Sequence, residues 1–400
     1  MSQTSVRAVY MRGGTSRAII FRDEDLPSDQ RARDAIFAAA LGSPDPGKRQ
    51  LDGLGGGISS LSKVAIVGPS KRADADVDYT FGQVNLDAAT VGYKANCGNI
   101  SSAIGPFAVD EGLVKASGDS ATVRIHNTNT GKIIVARFAL EDGKAKVDGD
   151  FVLQGVAGTG SPIRLSFLDP GGATTGKLLP TGTTRDTLEV AGLGRVEVSL
   201  VDAANPVVFV DAKSVGLEGT EKPTDLEARP ELLAQLEELR IAAAVRMGVA
   251  ASVEDARTKV RNIPQVGIVS KPPDDASHIT VRMLSTGQPH RATPLTGAMC
   301  LAASMRLPGT IPAALARLPE DAEADLVIAH PTGRLPVAAR VIDGKVEEAV
   351  VYRTARRLME GAVLVPKSRI AVGERGLAGT DRVGRGSVTS GADPRVPASD

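Results

Sequence analysis

Tryptophan is absent from this 400-residue chain, aromatic residues make up 3% of it, and there are only two cysteines and four histidines. So few flat rings leave no base-stacking platform for single-stranded nucleic acid. Lysine plus arginine and aspartate plus glutamate both total 47, so no net field draws the chain to nucleic acid or an anionic membrane. Two distant cysteines make no disulfide framework, and no histidines stand at the spacing of a zinc site. No apolar run approaches a membrane span, and the polar start shows no targeting pattern. These absences predict a soluble, cytoplasmic, globular protein with no nucleic-acid or membrane partner, no metal and no organic cofactor. Its length predicts two or three domains.

What is present is an order of elements that occurs twice. Strand Val6–Met11 turns through Arg12–Ser16 into strand Ala18–Phe21, and strand Val196–Val201 turns through Asp202–Pro206 into strand Val207–Val210. An amphipathic helix follows each pair, Gln30–Leu41 and Glu231–Met247, with apolar residues at helical spacing. Then come a short strand (Val64–Val67; Val266–Val269) and an alternating strand (Val77–Phe81; His278–Met283). A helix of small residues begins at Cys97-Gly98-Asn99 in one half and at Pro294-Leu295-Thr296-Gly297-Ala298 in the other. With little polar surface, each belongs in the middle of its domain. Both halves close with strand, tight turn and strand. Many strands around one buried helix, repeated, predict an α+β architecture with both helix N-termini at a shared cleft. Asp169–Lys177 reads as a linker, and from Lys367 to Asp400 the chain reads as a disordered tail.

Cys97 opens one of these helices, where unpaired N–H groups and the positive end of the helix dipole favour a thiolate. Buried packing is the ordinary fate of a free cysteine, but the following Gly98-Asn99 lets a ligand approach the backbone. Gly56-Gly57-Ile58-Ser59-Ser60-Leu61-Ser62-Lys63 brings hydroxyls and one amine to the start of a strand. A thiol and an amine among carboxylate-sized donors point to proton transfer on a small anion. Two glycine runs imitate cofactor loops. Gly171–Lys177 has phosphate-loop spacing but continues into Leu178 and Pro180, so no helix follows. Asp52–Gly57 leads into a strand where a dinucleotide loop needs a helix.

Met11-Arg12-Gly13-Gly14-Thr15-Ser16, Gly56–Lys63, Phe81-Gly82-Gln83-Val84, Asn96-Cys97-Gly98-Asn99 and His330-Pro331-Thr332-Gly333, in this order, resemble the PrpF family. That family includes 2-methylaconitate cis-trans isomerase, 4-oxalomesaconate tautomerase and methylitaconate Δ-isomerase. The resemblance runs from about Val6 to Pro366. It implies a diaminopimelate-epimerase-like fold, two pseudo-symmetric domains each with a β-barrel-like sheet around a central helix. The domains expected are 1–180, carrying Lys63 and Cys97, and 181–366. Arg17 stands where many relatives carry lysine.

The resemblance further implies a cofactor-independent isomerase that moves a proton and a double bond across an allylic unit of an unsaturated di- or tricarboxylate. 2-Methylaconitate is the first choice and 4-oxalomesaconate the alternative. A non-catalytic tricarboxylate-binding accessory protein is the competing class, and a homodimer is the assembly to test. Lys63 is expected to be the base and Cys97 its partner at the other carbon. Lys63 must then be neutral, against an ordinary pKa of about 10.4, and burial is the lever. Substrate-binding candidates are Arg12, Thr15, Ser16, Ser59, Ser60, Ser62, Asn99 and Thr296, with His290 and Arg291 as cationic help. Backbone N–H groups of Gly98, Asn99, Gly297 and Ala298 are expected to receive carboxylate or enolate oxygens. Cys300 falls a turn inside the second helix and is expected to face the core, which sets this chain apart from epimerases that use two thiols.

Overall fold

A computed structural model describes residues 2–93 and 96–370. The first half runs β1 (Gln3–Gly13), β2 (Ser16–Arg22), α1 (Gln30–Leu41), β3 (Lys63–Pro69), β4 (Val77–Val84), α2 (Gly98–Asp110), β5 (Ser120–Asn127), β6 (Lys132–Glu141) and β7 (Ile163–Leu168). The second runs β8 (Asp186–Val190), β9 (Gly194–Asp202), β10 (Pro206–Asp211), α3 (Pro230–Arg246), β11 (Gln265–Ser270), β12 (Ile279–Ser285), α4 (Leu295–Met305), β13 (Leu326–His330), β14 (Gly333–Ile342), β15 (Lys345–Arg353) and β16 (Ala355–Pro366).

The duplication is physical. In the first half β1 pairs antiparallel with β2, β2 parallel with β3, β3 antiparallel with β4, β4 parallel with β5 and β5 antiparallel with β6. In the second, β9 to β14 repeat that sequence of antiparallel and parallel steps. A parallel step needs a crossover long enough to return the chain to the same end. In each half one crossover carries the outer helix (α1 or α3) and the other the central helix (α2 or α4).

The halves are stitched by β7, which pairs with β6 on one side and β15 on the other, and by β16, which runs along β1 from Gln3↔Pro366 to Gly13↔Ala355. The last strand therefore lies in the first half's sheet. We propose 1–180 and 181–366 as the two repeat units on this pairing, with β16 crossing back. Within the expected tail, Lys367 N donates to Ser2 O at 3.0 Å and Arg369 pairs with Asp52 at 2.6 Å. Its remainder, 371–400, lies outside the described residues.

The central helices explain their own composition. α2 buries every residue from Ile100 to Val109 and α4 every residue from Gly297 to Met305. A helix enclosed all round can carry only small and apolar side chains, and each fully buried Ile or Phe is worth about 1.5–3 kcal/mol. Their side chains share one core that crosses both halves, whereas α1 and α3 each cover a separate outer core. α1 begins on Asp29, whose carboxylate accepts from Ala32 N at 2.8 Å, and ends on Gly42 at φ 79°.

The glycine run that imitates a phosphate loop already holds an anion of the protein itself. Asp202 Oδ2 accepts from Thr174 N at 2.8 Å, Thr175 N at 2.6 Å and Thr175 Oγ1 at 3.0 Å. Loop 171–177 thus curls around the end of β9 as a brace between the halves.

Candidate active site

Lys63 opens β3 and Gln83 lies opposite it on β4 as its register partner. The lysine is 7% exposed, its Nζ donates to Gln83 Oε1 at 2.5 Å, and it stands 5.1 Å from the centroid of the Phe81 ring. Gln83 is itself oriented. Its Nε2 donates to the Ser62 carbonyl at 2.8 Å and the Ser59 carbonyl at 3.2 Å, so its oxygen must be the end that faces the amine. Burial pulls the Lys63 pKa below its usual value, and the neighbouring Cys97 works weakly the other way.

Cys97 is the N-cap of α2, half-buried, and its side chain makes no capping bond. Ser101 N is the first amide of the helix to find an acceptor, Cys97 O at 2.9 Å, so the amides of Gly98 and Asn99 have no intrahelical partner. Asn99 fixes this turn in place. Its Nδ2 donates to Thr15 Oγ1 at 3.2 Å and its Oδ1 accepts from Arg353 Nε at 3.1 Å. The close approach explains the glycines of the first hairpin, since a Cβ on Gly13 would lie 2.6 Å from the Asn99 carbonyl oxygen. The N-terminus of α4 meets that of α2 directly, because a Cβ on Gly98 would collide with the Leu295 Cδ2 methyl.

Two clefts flank that contact. The first is lined by Thr15, Asn99, His290, Thr293, His330 and Arg353 among others. The second is lined by Asn96, Gly98, Lys132, Phe167, Asn205 and Thr296 among others. Lys63 and Cys97 line neither cleft; Cys97 is half-buried and Lys63 deeper.

The geometry sorts the expected binding residues. Thr15, Asn99 and His290 line the first cleft, while Gly98 and Thr296 line the second. Ser59 is exposed beside Gln83, with its Oγ 3.5 Å from Gln83 Oε1. Ser60 is half-exposed, and Ser16 is buried in the β1–β2 hairpin. Gly297 is buried against Gln265, whose Oε1 would lie 2.6 Å from a Cβ there.

Four of the expected binding groups are engaged within the protein. Ser62 is fully buried and internally committed, donating to Val84 O at 2.9 Å and accepting from Gln50 Nε2 at 2.7 Å. Arg12 holds the hairpin turn through Gly14 O at 3.0 Å and Thr354 O at 2.9 Å. Arg291 is exposed and pairs with Glu227 at 2.9 Å. The Ala298 amide donates to Pro294 O at 2.8 Å, so in α4 the unpaired donors end at Gly297.

Burial lowers the pKa of His290, and for His330 burial with the nearby Arg282 charge brings it to about 4, so His330 is neutral at pH 7. Cys300 is fully buried with Sγ 3.5 Å from Val201 O, and burial pushes its thiol far up. Gln83, Thr293 and Arg353 had drawn no role from the sequence. Gln83 stood in a noted motif with no partner assigned. Arg353, 254 positions from Asn99 in the chain, carries no local pattern at all.

The PrpF protein family model matches residues 3–366 of the chain. The chain is 44% identical to 3-methylitaconate isomerase of Eubacterium barkeri over 380 residues, covering 92% of this chain and 99% of that protein. It is 37% identical to 2-methyl-aconitate isomerase of Shewanella oneidensis over 391 residues, 91% of this chain and 98% of that one. The crystal structure of a methylitaconate-delta-isomerase superposes with a TM-score of 0.89 at 44% identity, over 92% of this chain and 98% of that one.

Proposed function

The chain belongs to the PrpF family and is an isomerase, and we propose that it shifts a proton and a double bond within an unsaturated di- or tricarboxylate. One observation carries the mechanism. A buried lysine, drawn toward its neutral form and held by a neutral amide, adjoins a cysteine at the first turn of a central helix.

The neutral Lys63 amine removes a proton from the saturated carbon next to the double bond. The C–H electron pair enters the conjugated system, the double bond moves by one carbon, and charge collects on the conjugated carboxylate as a dienolate. Cys97 delivers a proton to the carbon at the far end of the allyl unit. The enzyme is left as ammonium and thiolate, and transfer of one proton from lysine to cysteine restores both. During the dienolate's lifetime the former double bond is single, so rotation about it exchanges cis and trans. The amides of Gly98 and Asn99 face the developing negative charge. Closing water out of such a site strengthens these donors, because the dielectric falls.

The relative with 44% identity bears the name of a methylitaconate isomerase and the one with 37% that of a methylaconitate isomerase. We therefore place 3-methylitaconate first as substrate, ahead of the 2-methylaconitate expected from sequence alone, and keep 2-methylaconitate and 4-oxalomesaconate as the alternatives. Proton NMR in deuterium oxide with these three compounds tests the function. Deuterium entering one of them as its double bond moves is the expected result, with Lys63→Ala folded and silent. No exchange in any unsaturated di- or tricarboxylate overturns the reading.

A further inference from the structure

Arg353 brings a guanidinium to the wall of the first cleft while remaining only 6% exposed. Its Nε donates to Asn99 Oδ1 at 3.1 Å and its Nη1 to the Tyr352 carbonyl at 2.8 Å. Both acceptors are neutral. Among the described residues no carboxylate forms an ion pair with it, whereas Arg357, four positions on, pairs with both Glu111 and Glu360. A buried guanidinium with no carboxylate partner is costly, because desolvation is not offset by an ion pair. The group nevertheless stays charged at neutral pH, its pKa brought by burial to about 10.

A second group on the same wall is also incomplete. Thr293 Oγ1 is buried with no hydrogen-bond partner, and Thr293 lines the cleft with Arg353. Thr293 Oγ1 has no acceptor and Arg353 has only neutral ones, and a carboxylate supplies two acceptor oxygens that match a guanidinium edge and still take a bond from a hydroxyl. Asn99, which holds Arg353, stands two residues after Cys97 in the first turn of α2. The guanidinium is therefore tied to the same helical turn that Cys97 caps.

We propose that Arg353, completed by Thr293, is the receptor for one carboxylate of the substrate, the one next to the carbon that Cys97 serves. This rests on the function proposed above and adds to it a fixed direction of binding. Anchored there, the substrate presents its reacting carbons to the first turn of α2 in one orientation only.

Calorimetric titration with tricarballylate, a saturated tricarboxylate that has no allylic proton, reads binding apart from turnover. Wild type is expected to bind it. Arg353→Gln should bind about 30-fold more weakly, the scale of lost charge-assisted hydrogen bonds. Arg353→Lys should lose about tenfold, because an ammonium keeps the charge but not the parallel pair of donors. Thr293→Val removes an unpartnered hydroxyl, so it should fold normally and bind a few-fold more weakly. A folded Arg353→Lys with wild-type affinity, or a wild type that does not bind tricarballylate, overturns the subsite. Should wild type bind tricarballylate through Arg353 yet exchange no proton of any unsaturated carboxylate, the subsite stands and the proposed function falls. Exchange in wild type with binding indifferent to Arg353 does the reverse.

Discussion

Lys63 and Gln83 face each other across the antiparallel β3–β4 pair, and the lysine amine donates to the glutamine oxygen at 2.5 Å. Because the amide nitrogen of Gln83 is committed to the Ser62 and Ser59 carbonyls, the pair has one polarity. A neutral amine so held spends one hydrogen on Gln83, which leaves its lone pair to point elsewhere. Gln83 is thus a positioning residue in the proposed reaction, acting through Lys63.

Gln83→Glu should move the low-pH limb of kcat/KM upward. Lys63 works as a base only when neutral, so activity rises with pH through its folded-state pKa, which burial holds below the ordinary value. A carboxylate in place of the amide favours the ammonium and shifts the limb up by about one to three pH units. Activity at a fixed pH below the limb then falls about tenfold per unit. An unmoved limb in a folded variant would remove Gln83 from the mechanism.

The two thiols should part company under alkylation. Iodoacetamide at neutral pH is expected to label half-buried Cys97, and bound tricarboxylate to protect it. Cys300, fully buried and pushed toward the thiol form, should label only on unfolding. Cys300→Ala should keep most of the proton exchange, with a packing loss of about 1–2 kcal/mol. Equal labelling rates by peptide mass spectrometry, with exchange lost in Cys300→Ala, would put two thiols at one cleft and favour racemase chemistry.

Dialysis against a chelator should leave the isomerase activity unchanged. Among the described residues no three His, Cys, Asp or Glu side chains converge as metal ligands. The measurement is the NMR exchange rate before and after EDTA. Loss of activity that a divalent metal restores would replace the amine–thiol mechanism.

Gly13→Ala should destabilise the protein by about 1–3 kcal/mol. The new methyl would meet the Asn99 carbonyl oxygen at 2.6 Å and the Ile100 Cα at 3.1 Å, both backbone atoms that cannot rotate away. Urea denaturation should show a lower midpoint at an unchanged slope. A midpoint equal to wild type would mean that β1 and α2 are not held as closely as the hairpin glycines indicate.

The sequence by itself determined what short-range periodicity and composition encode. Alternation marked the strands, runs of small residues marked the two buried central helices, and their repeated order made the duplication legible before any coordinate. Cys97 at a helix start and Lys63 at a strand start were readable for the same reason, since a cap and a strand edge are local events. The glycine run 171–177 could be rejected as a phosphate loop from its flanks, yet only the fold showed that Asp202 fills it.

Tertiary structure alone decided which polar groups remain available to a ligand. Ser62 and Ala298 are spent on internal partners and Arg291 on Glu227, although their sequence context matches that of residues that line the clefts. Arg353 enters the site from a strand with no motif, through a contact between residues 254 apart. Whether a hydrogen-bonding group is free depends on what long-range packing brings within about 3 Å of it. The chain's periodicity sets which face a residue occupies, but not which distant neighbour meets it there.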